Sequence, residues 1–112
     1  MRVPHIPILA LTVSPLAAAV AANTFVGHDE QPAAAGADAL GIADYDGAEG
    51  GAIGVTVLGT QRVQAGGAFN KGDAVEVGAG SKAVLLAAGV KVGVALEDSA
   101  GDGSIVTVLL TP

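Results

Sequence analysis

The stretch "ALGIADYDGAEGGAIGVTVLGT", residues 39–60, combines two β-strand signals with a turn between them. Residues 39–43 are apolar and small, and residues 53–58 alternate, with Ile53, Val55 and Val57 on one face. Period-two alternation is typical of a strand that buries one side. The intervening "DYDGAEGG" is rich in Asp and Gly, which favour turns. The stretch therefore predicts two strands joined by an Asp/Gly turn.

The rest of the chain repeats this rhythm of short apolar runs and turns. Turn signals such as "AGGA", "NKGD", "GAGS" and "DSAGDG" recur every 8–12 residues or so, and Gly makes up 17 of 112 residues. This spacing is typical of an all-β sandwich or barrel. We predict a small, Gly-rich antiparallel β-barrel or sandwich. Its further strands fall at residues 24–26, 61–64, 74–77, 83–86, 90–97 and 104–110.

The first 23 residues differ from the rest. Pro4, Pro7 and Pro15 exclude a regular helix over residues 1–15, because proline lacks an N–H and restricts the preceding residue. Residues 8–13 are extended and apolar and can pair as an edge strand. Residues 16–23 are Ala-rich and form either a short helix or a strand. We predict an extended arm and connector over residues 1–23, and a barrel or sandwich body over residues 24–112.

The apolar run near Arg2 also has a second interpretation, as a secretory signal peptide of a surface module. Its prolines interrupt the apolar segment, and Arg2 alone supplies basic charge at the start. We therefore favour a structural arm over a signal peptide.

Composition excludes several classes of function. The net charge is −6 and the five basic residues are scattered, so neither a nucleic acid nor an anionic membrane surface is an expected partner. No apolar run reaches the ~18 residues of a membrane span. There is no Cys, so disulfides and thiolate metal sites are excluded. Aromatics are 3% of the chain, and a core of small side chains predicts that assembly with other subunits contributes to stability.

No motif supports an enzyme, a cofactor or a metal. Gly78, Gly80 and Ala83 fit a loose dinucleotide fingerprint, but too few residues follow for a crossover helix. His28 lies beside two acids in a loop, and His5 is the only other histidine, so a metal site is not expected. No Gly-x-Ser-x-Gly motif is present. Lys82 is the candidate lysine of a lipoyl or biotinyl carrier, but its neighbours Ser81 and Ala83 are not those of such domains.

The order of elements resembles the capsid cement, or head decoration, proteins of tailed bacteriophages and prophages. "IPILALTVSP" resembles their apolar arm, and "AANTFVG" their Ala-Asn-x-Phe-Val. Residues 39–60 resemble their Leu-Gly-Val-Ala, Gly turn and Val-rich strand. "VQAGGAFNKGDAVEV" and "KVGVALEDSAGDGSIVTVLL" resemble the two segments that follow. The resemblance spans roughly residues 6–110.

This resemblance implies a non-enzymatic structural virion protein, made in the host bacterial cytoplasm and placed on the outer capsid surface. It implies a homotrimer that bridges major capsid subunits, with no cofactor and no small-molecule substrate. We expect the arm to contact the capsid or another protomer, because extended segments add strands to exposed sheet edges. The expected contact residues are Val3, Pro4, Ile6, Pro7, Ile8, Leu9, Leu11 and Val13. The alternatives are a carrier or ligand-binding β domain that uses Lys82, or a secreted surface module.

Overall fold

A computed structural model describes residues 7–110, and they form one antiparallel sheet that curls into a nearly closed barrel. Among the described residues, 44% are in extended β-structure and only 3% in helix, which confirms the predicted all-β class. The strands are β1 (Pro7–Val13), β2 (Phe25–Val26), β3 (Gly41–Ala43), β4 (Ile53–Gln64), β5 (Ala74–Val77), β6 (Ala83–Leu85), β7 (Gly93–Ala95) and β8 (Ile105–Leu110). The sheet order is β2-β3-β4-β8-β7-β5-β6, and β1 pairs with β4.

Three predicted strands differ clearly in extent from those observed. Residues 53–58 and 61–64 form one continuous strand, β4, because Gly59 adopts a positive φ of 107° and lets the strand bend without ending. The predicted strand at 90–97 shrinks to β7. The residues before β7 fold back instead, and the Ala87 N–H donates to Glu76 Oε1 at 2.6 Å.

The connector at residues 16–23 forms neither the helix nor the regular strand that its sequence left open. It is held by backbone hydrogen bonds to the loop 46–51 instead. The Leu16 N–H donates to the Gly51 carbonyl at 2.9 Å, and Val20 and Gly47 exchange two bonds of 2.9 Å. The "DYDGAEGG" segment is therefore a turn whose backbone also binds the connector.

The main core, which we call the inner core, fills the barrel. It contains both phenylalanines, Phe25 and Phe69, surrounded by small aliphatic side chains from β3 to β8. Phe25 and Ile42 are fully buried. Burial of aliphatic and aromatic surface is the main favourable term in folding, so this cluster provides most of the stability of the barrel.

A second cluster, which we call the outer core, lies on the back of the same strands. Val26 and Ala43 belong to it, although their neighbours Phe25 and Ile42 belong to the inner core. Successive strand residues point to opposite faces, so β2 and β3 are buried on both sides. Leu16 and Val20 of the connector cover this second face, and Val13 packs there too.

The bend in β4 brings the buried side chains of Thr56 and Gln61 to the half-buried carboxylate of Asp44. Thr56 Oγ1 donates to Asp44 Oδ1 at 2.7 Å, and Gln61 Nε2 donates to the same oxygen. In a straight strand the Cα atoms of Thr56 and Gln61 would lie about 16 Å apart. In the bent strand the side chains meet, and Gln61 Nε2 lies 3.4 Å from Thr56 Oγ1. Asp44 thus joins the two halves of β4 across the bend.

Candidate interaction surface

β1 is an edge strand whose outer edge forms no second ladder within residues 7–110. Its inner edge pairs with the first half of β4, from Val13 opposite Ile53 to Pro7 opposite Gly59. The register shifts twice near Leu9, so this end of the ladder is irregular. An unpaired edge is a template for pairing with another chain. The predicted extended edge strand is therefore present, next to its own body.

Residues 8–12 of β1 are exposed and mostly apolar, whereas the end nearest the connector is buried. Ile8 is 72% exposed, Leu9 48% and Leu11 42%, whereas Val13 is only 7% exposed and packs in the outer core. We call Ile8, Leu9 and Leu11 the arm patch. Val3, Pro4 and Ile6, also expected as contacts, lie outside the described residues. The fold thus anchors the strand at Val13 and presents the arm patch to solvent.

An apolar groove of about 400 Å³ opens beside the arm patch. Its lining comes from segments that are far apart in sequence, and Leu9 belongs both to the groove and to the arm patch. The apolar lining residues are Leu9, Phe25, Ala39, Leu40, Val57, Leu58, Val92 and Leu110. Sequence reasoning did not predict the groove, because no local pattern shows that these segments converge.

The rim of the groove carries charge. His28 Nε2 and Asp38 Oδ2 lie 3.5 Å apart, with both side chains 61% exposed, and Lys91 also lines the groove. Asp29 and Glu30 follow His28 in the same exposed loop. An apolar floor with a charged rim is typical of a surface that binds a partner segment.

Exposed apolar side chains also occur on β8. Ile105 is 55% exposed and Leu109 36%, while Val106 and Val108 between them are buried. The sequence carried a signal here, because "SIVTVLL" has apolar residues at outward as well as inward positions. A strand with one solvated face would alternate with polar residues instead.

The geometry gives no support to a carrier lysine, a dinucleotide site or a metal site. The Lys82 ammonium lies 3.1 Å from Asp102 Oδ1, and its side chain is 30% exposed, so it is held in an ion pair on the body. The Gly78–Gly80 region is a three-residue 3-10 turn, Ala79–Ser81, between antiparallel strands and not a phosphate loop before a helix. Among residues 7–110, no group of three or more His, Asp or Glu side chains is arranged to hold a metal ion.

The described residues also contain no helix that is long and apolar enough to cross a membrane. The features that stand out are surfaces: the arm patch, the groove and the exposed apolar side chains of Ile105 and Leu109 on β8.

A small β-barrel with an apolar edge strand is a structural module suited to docking on other proteins. Comparison with known families gives the class: residues 4–110 match the phage cement protein family, and the chain belongs to that family. It is a structural, capsid-associated protein of a bacteriophage head.

A solved structure shares this fold. It is described as the head fiber gp8.5 N base in bacteriophage phi29, with a TM-score of 0.76 and 20% sequence identity. The likeness covers 92% of this chain and 93% of that chain. No curated protein matches the sequence. At this identity the likeness establishes the fold, and the family match establishes the class.

Proposed function

We propose that this protein binds the outer surface of a tailed-phage capsid as a homotrimer and bridges neighbouring major capsid subunits through its arm. The observation that carries the proposal is the arm patch, a group of exposed apolar side chains on an edge strand. Membership of the phage cement family supports the capsid as the partner. The phi29 likeness supports a fold that can be mounted on a phage head.

The arm patch is costly for a protein that stays alone. Burying a Leu or Ile side chain that is otherwise exposed gains about 1.5–3 kcal/mol. Ile8, Leu9 and Leu11 are all at least 42% exposed, although the neighbouring Val13 on the same strand is buried. Apolar contacts of this kind, combined with a free backbone edge, suit addition to a partner's sheet.

Repetition of such contacts would give a stable attachment. A single strand contact is weak, but a trimer engages three sites, and each later contact benefits from a high effective concentration. The net charge of −6 suits a position on the outside of the head, away from the packaged DNA.

The test is co-sedimentation of the purified protein with capsids that lack it. Ile8→Ser combined with Leu11→Ser should reduce capsid binding at least tenfold, because two apolar contacts are lost while the body keeps its cores. These point changes are preferable to deletion of the arm, since deletion would also remove Val13 from the outer core.

Leu85→Ser is the matched control. Leu85 is 50% exposed on β6, which does not pair with β1, so its replacement removes one exposed apolar side chain without touching the arm. We expect it to bind capsids like the unmodified protein. Equal binding by the double arm variant and the unmodified protein would contradict the proposed role of the arm.

A further inference from the structure

Glu76 on β5 is the one charged side chain among residues 7–110 that is buried, and it is only 7% exposed. Its carboxylate accepts one hydrogen bond from these residues, from the Ala87 N–H to Oε1 at 2.6 Å. The described residues form two ion pairs, and neither includes Glu76. A buried charge without a counter-charge is unfavourable. The described part of the chain therefore leaves the charge of Glu76 uncompensated.

The other carboxylate oxygen of Glu76, Oε2, opens to the surface. It accepts no hydrogen bond from residues 7–110. No fully enclosed side-chain nitrogen or oxygen atom in that range lacks a partner, so an oxygen without a partner must reach solvent. Two glycines leave room for this, because a Cβ on Gly89 would overlap Oε2 and a Cβ on Gly36 would contact it. The oxygen is therefore accessible although the residue is buried.

Glu76 and both glycines line an open pocket of about 510 Å³, formed by β5, β6 and the loops that precede β3 and β7. Of the described residues that line it, Glu76 alone is charged. The others are Ala35, Gly36, Val77, Gly78, Val84, Ala87, Ala88 and Gly89. The pocket thus combines one free carboxylate oxygen with walls of small apolar residues.

We propose that this pocket binds a lysine side chain of the major capsid protein, with the ammonium group at Glu76 Oε2. Lysine packs its aliphatic stem on apolar surface and keeps its charge at a polar group, which suits walls made by Ala35, Ala88 and Val84. Arginine is a poorer occupant, because its guanidinium pairs best with both oxygens of a carboxylate, and Oε1 is engaged by Ala87. This inference rests on the proposed function, to which it adds a second contact.

A second contact is what bridging requires, because a protein that joins two capsid subunits needs at least two contact sites. β8 and β7 lie between β4, which pairs with β1, and β5 in the sheet order, so the pocket and the arm patch are separate surfaces. The chain itself is a poor source of the cation. It has only three lysines at a net charge of −6, and Lys82 is already paired with Asp102. A partner protein is the better source.

The first test uses the protein in solution with a lysine analogue as the probe. Nα-acetyl-lysine methylamide is added to isotope-labelled protein, and NMR follows the amide of Ala87, which is bonded to Glu76, and the amide of Gly89. We expect saturable shifts of both amides. The same probe with an acetylated ε-amine carries no charge and should cause none. Equally tight binding of the matching arginine analogue would overturn the choice of lysine.

Two variants and a control make this titration specific. Glu76→Gln should weaken binding at least tenfold, because a charge-assisted hydrogen bond is lost while the new amide oxygen can still accept from Ala87. Ala88→Leu leaves Glu76 untouched and should block entry, since Ala88 is exposed and lines the pocket. Glu49→Gln is the matched control, because Glu49 is exposed and does not line the pocket. Absence of saturable shifts, or equal binding by Glu76→Gln and the unmodified protein, would overturn the proposal.

The second test identifies the source of the lysine. The protein is bound to capsids that lack it and treated with a carbodiimide, which joins a carboxylate and an amine in contact as an amide, with loss of water. Mass spectrometry of the digested particles should find Glu76 joined to a lysine of the major capsid protein, and Glu76→Gln should abolish this product. A product with Lys71 or Lys91 of another copy instead would overturn the capsid as the source.

Capsid binding separates this inference from the proposed function. Equal capsid binding by Glu76→Gln and the unmodified protein, without the Glu76 product, would reject the lysine pocket and leave the proposed role of the arm intact. Failure of the unmodified protein to bind capsids would reject the proposed function, and with it the capsid as the source of the lysine. The titration in solution would still decide whether the pocket binds a lysine side chain.

Discussion

The inner and outer cores use opposite faces of the same short strands, yet they differ in what they hold together. The inner core contains both phenylalanines and joins strands of one sheet. The outer core has seven buried residues, and Leu16 and Val20 join it from a connector with no regular structure. The inner core therefore defines the barrel, whereas the outer core attaches the arm to it.

In the proposed role, the inner core therefore serves stability and the outer core serves function, because it holds the arm. Leu11, the last residue of the arm patch, lies two residues before Val13, which is the outer-core residue at the end of β1. A protein that docks through its arm needs the arm placed accurately, and the outer core does this without sharing the interior of the barrel. The two cores touch through β2 and β3, where Phe25 and Val26, or Ile42 and Ala43, are adjacent in the chain.

The largest expected effect comes from truncating the inner core. Phe25→Ala should lower the free energy of unfolding by about 3–5 kcal/mol, because a fully buried ring is removed and a cavity remains. Chemical denaturation followed by circular dichroism measures the change. Tyr45→Ala is the control, since Tyr45 is 54% exposed and its loss should cost under about 0.5 kcal/mol. Similar losses for the two variants would mean that Phe25 is not a central packing residue.

Truncating the outer core should have a smaller and more local effect. Leu16→Ala should cost about 2 kcal/mol, at the low end for such changes, because the connector can settle into the space. Amide hydrogen exchange should accelerate most at Leu16 and Val20, whose N–H groups bond to the loop 46–51. The amides of β8 should change least. A uniform acceleration across both cores would show that they unfold as one unit.

The parts of this architecture that sequence could predict are those with local causes. Residues 74–77 were predicted as a strand with the bounds that β5 has, because turn residues flank an apolar run on both sides. The edge strand at residues 8–13 followed from its apolar, proline-bounded composition and matches β1 closely. Local spacing and turn chemistry were sufficient in both cases.

The connector and the groove have non-local causes and could not be predicted. An Ala-rich segment has no pattern that selects a partner, and the conformation of residues 16–23 is set by hydrogen bonds to a loop some 30 residues away in sequence. The groove is lined by residues of β1, β2, β4 and β8 and of the segments before β3 and β7. Only the closed sheet brings these elements together. The two-faced burial of β2 and β3 has the same origin, because two-residue and three-residue strands are too short to show alternation.

The smallest losses in the free energy of unfolding are expected when single carboxylates near the two cores are removed. Asp44→Ala should cost about 1–2 kcal/mol, because Thr56 and Gln61 lose their shared acceptor, and the two hydrogen bonds to it are partly buried. Asp46→Ala removes an acceptor for the Ala22 N–H, a bond of 2.7 Å at the exposed edge of the outer core, where water can replace the carboxylate. Its cost should therefore stay below about 1 kcal/mol. Thermal and chemical unfolding of both variants measure the difference. An Asp46→Ala loss equal to that of Asp44→Ala would mean that the connector bond matters as much as the network around Asp44.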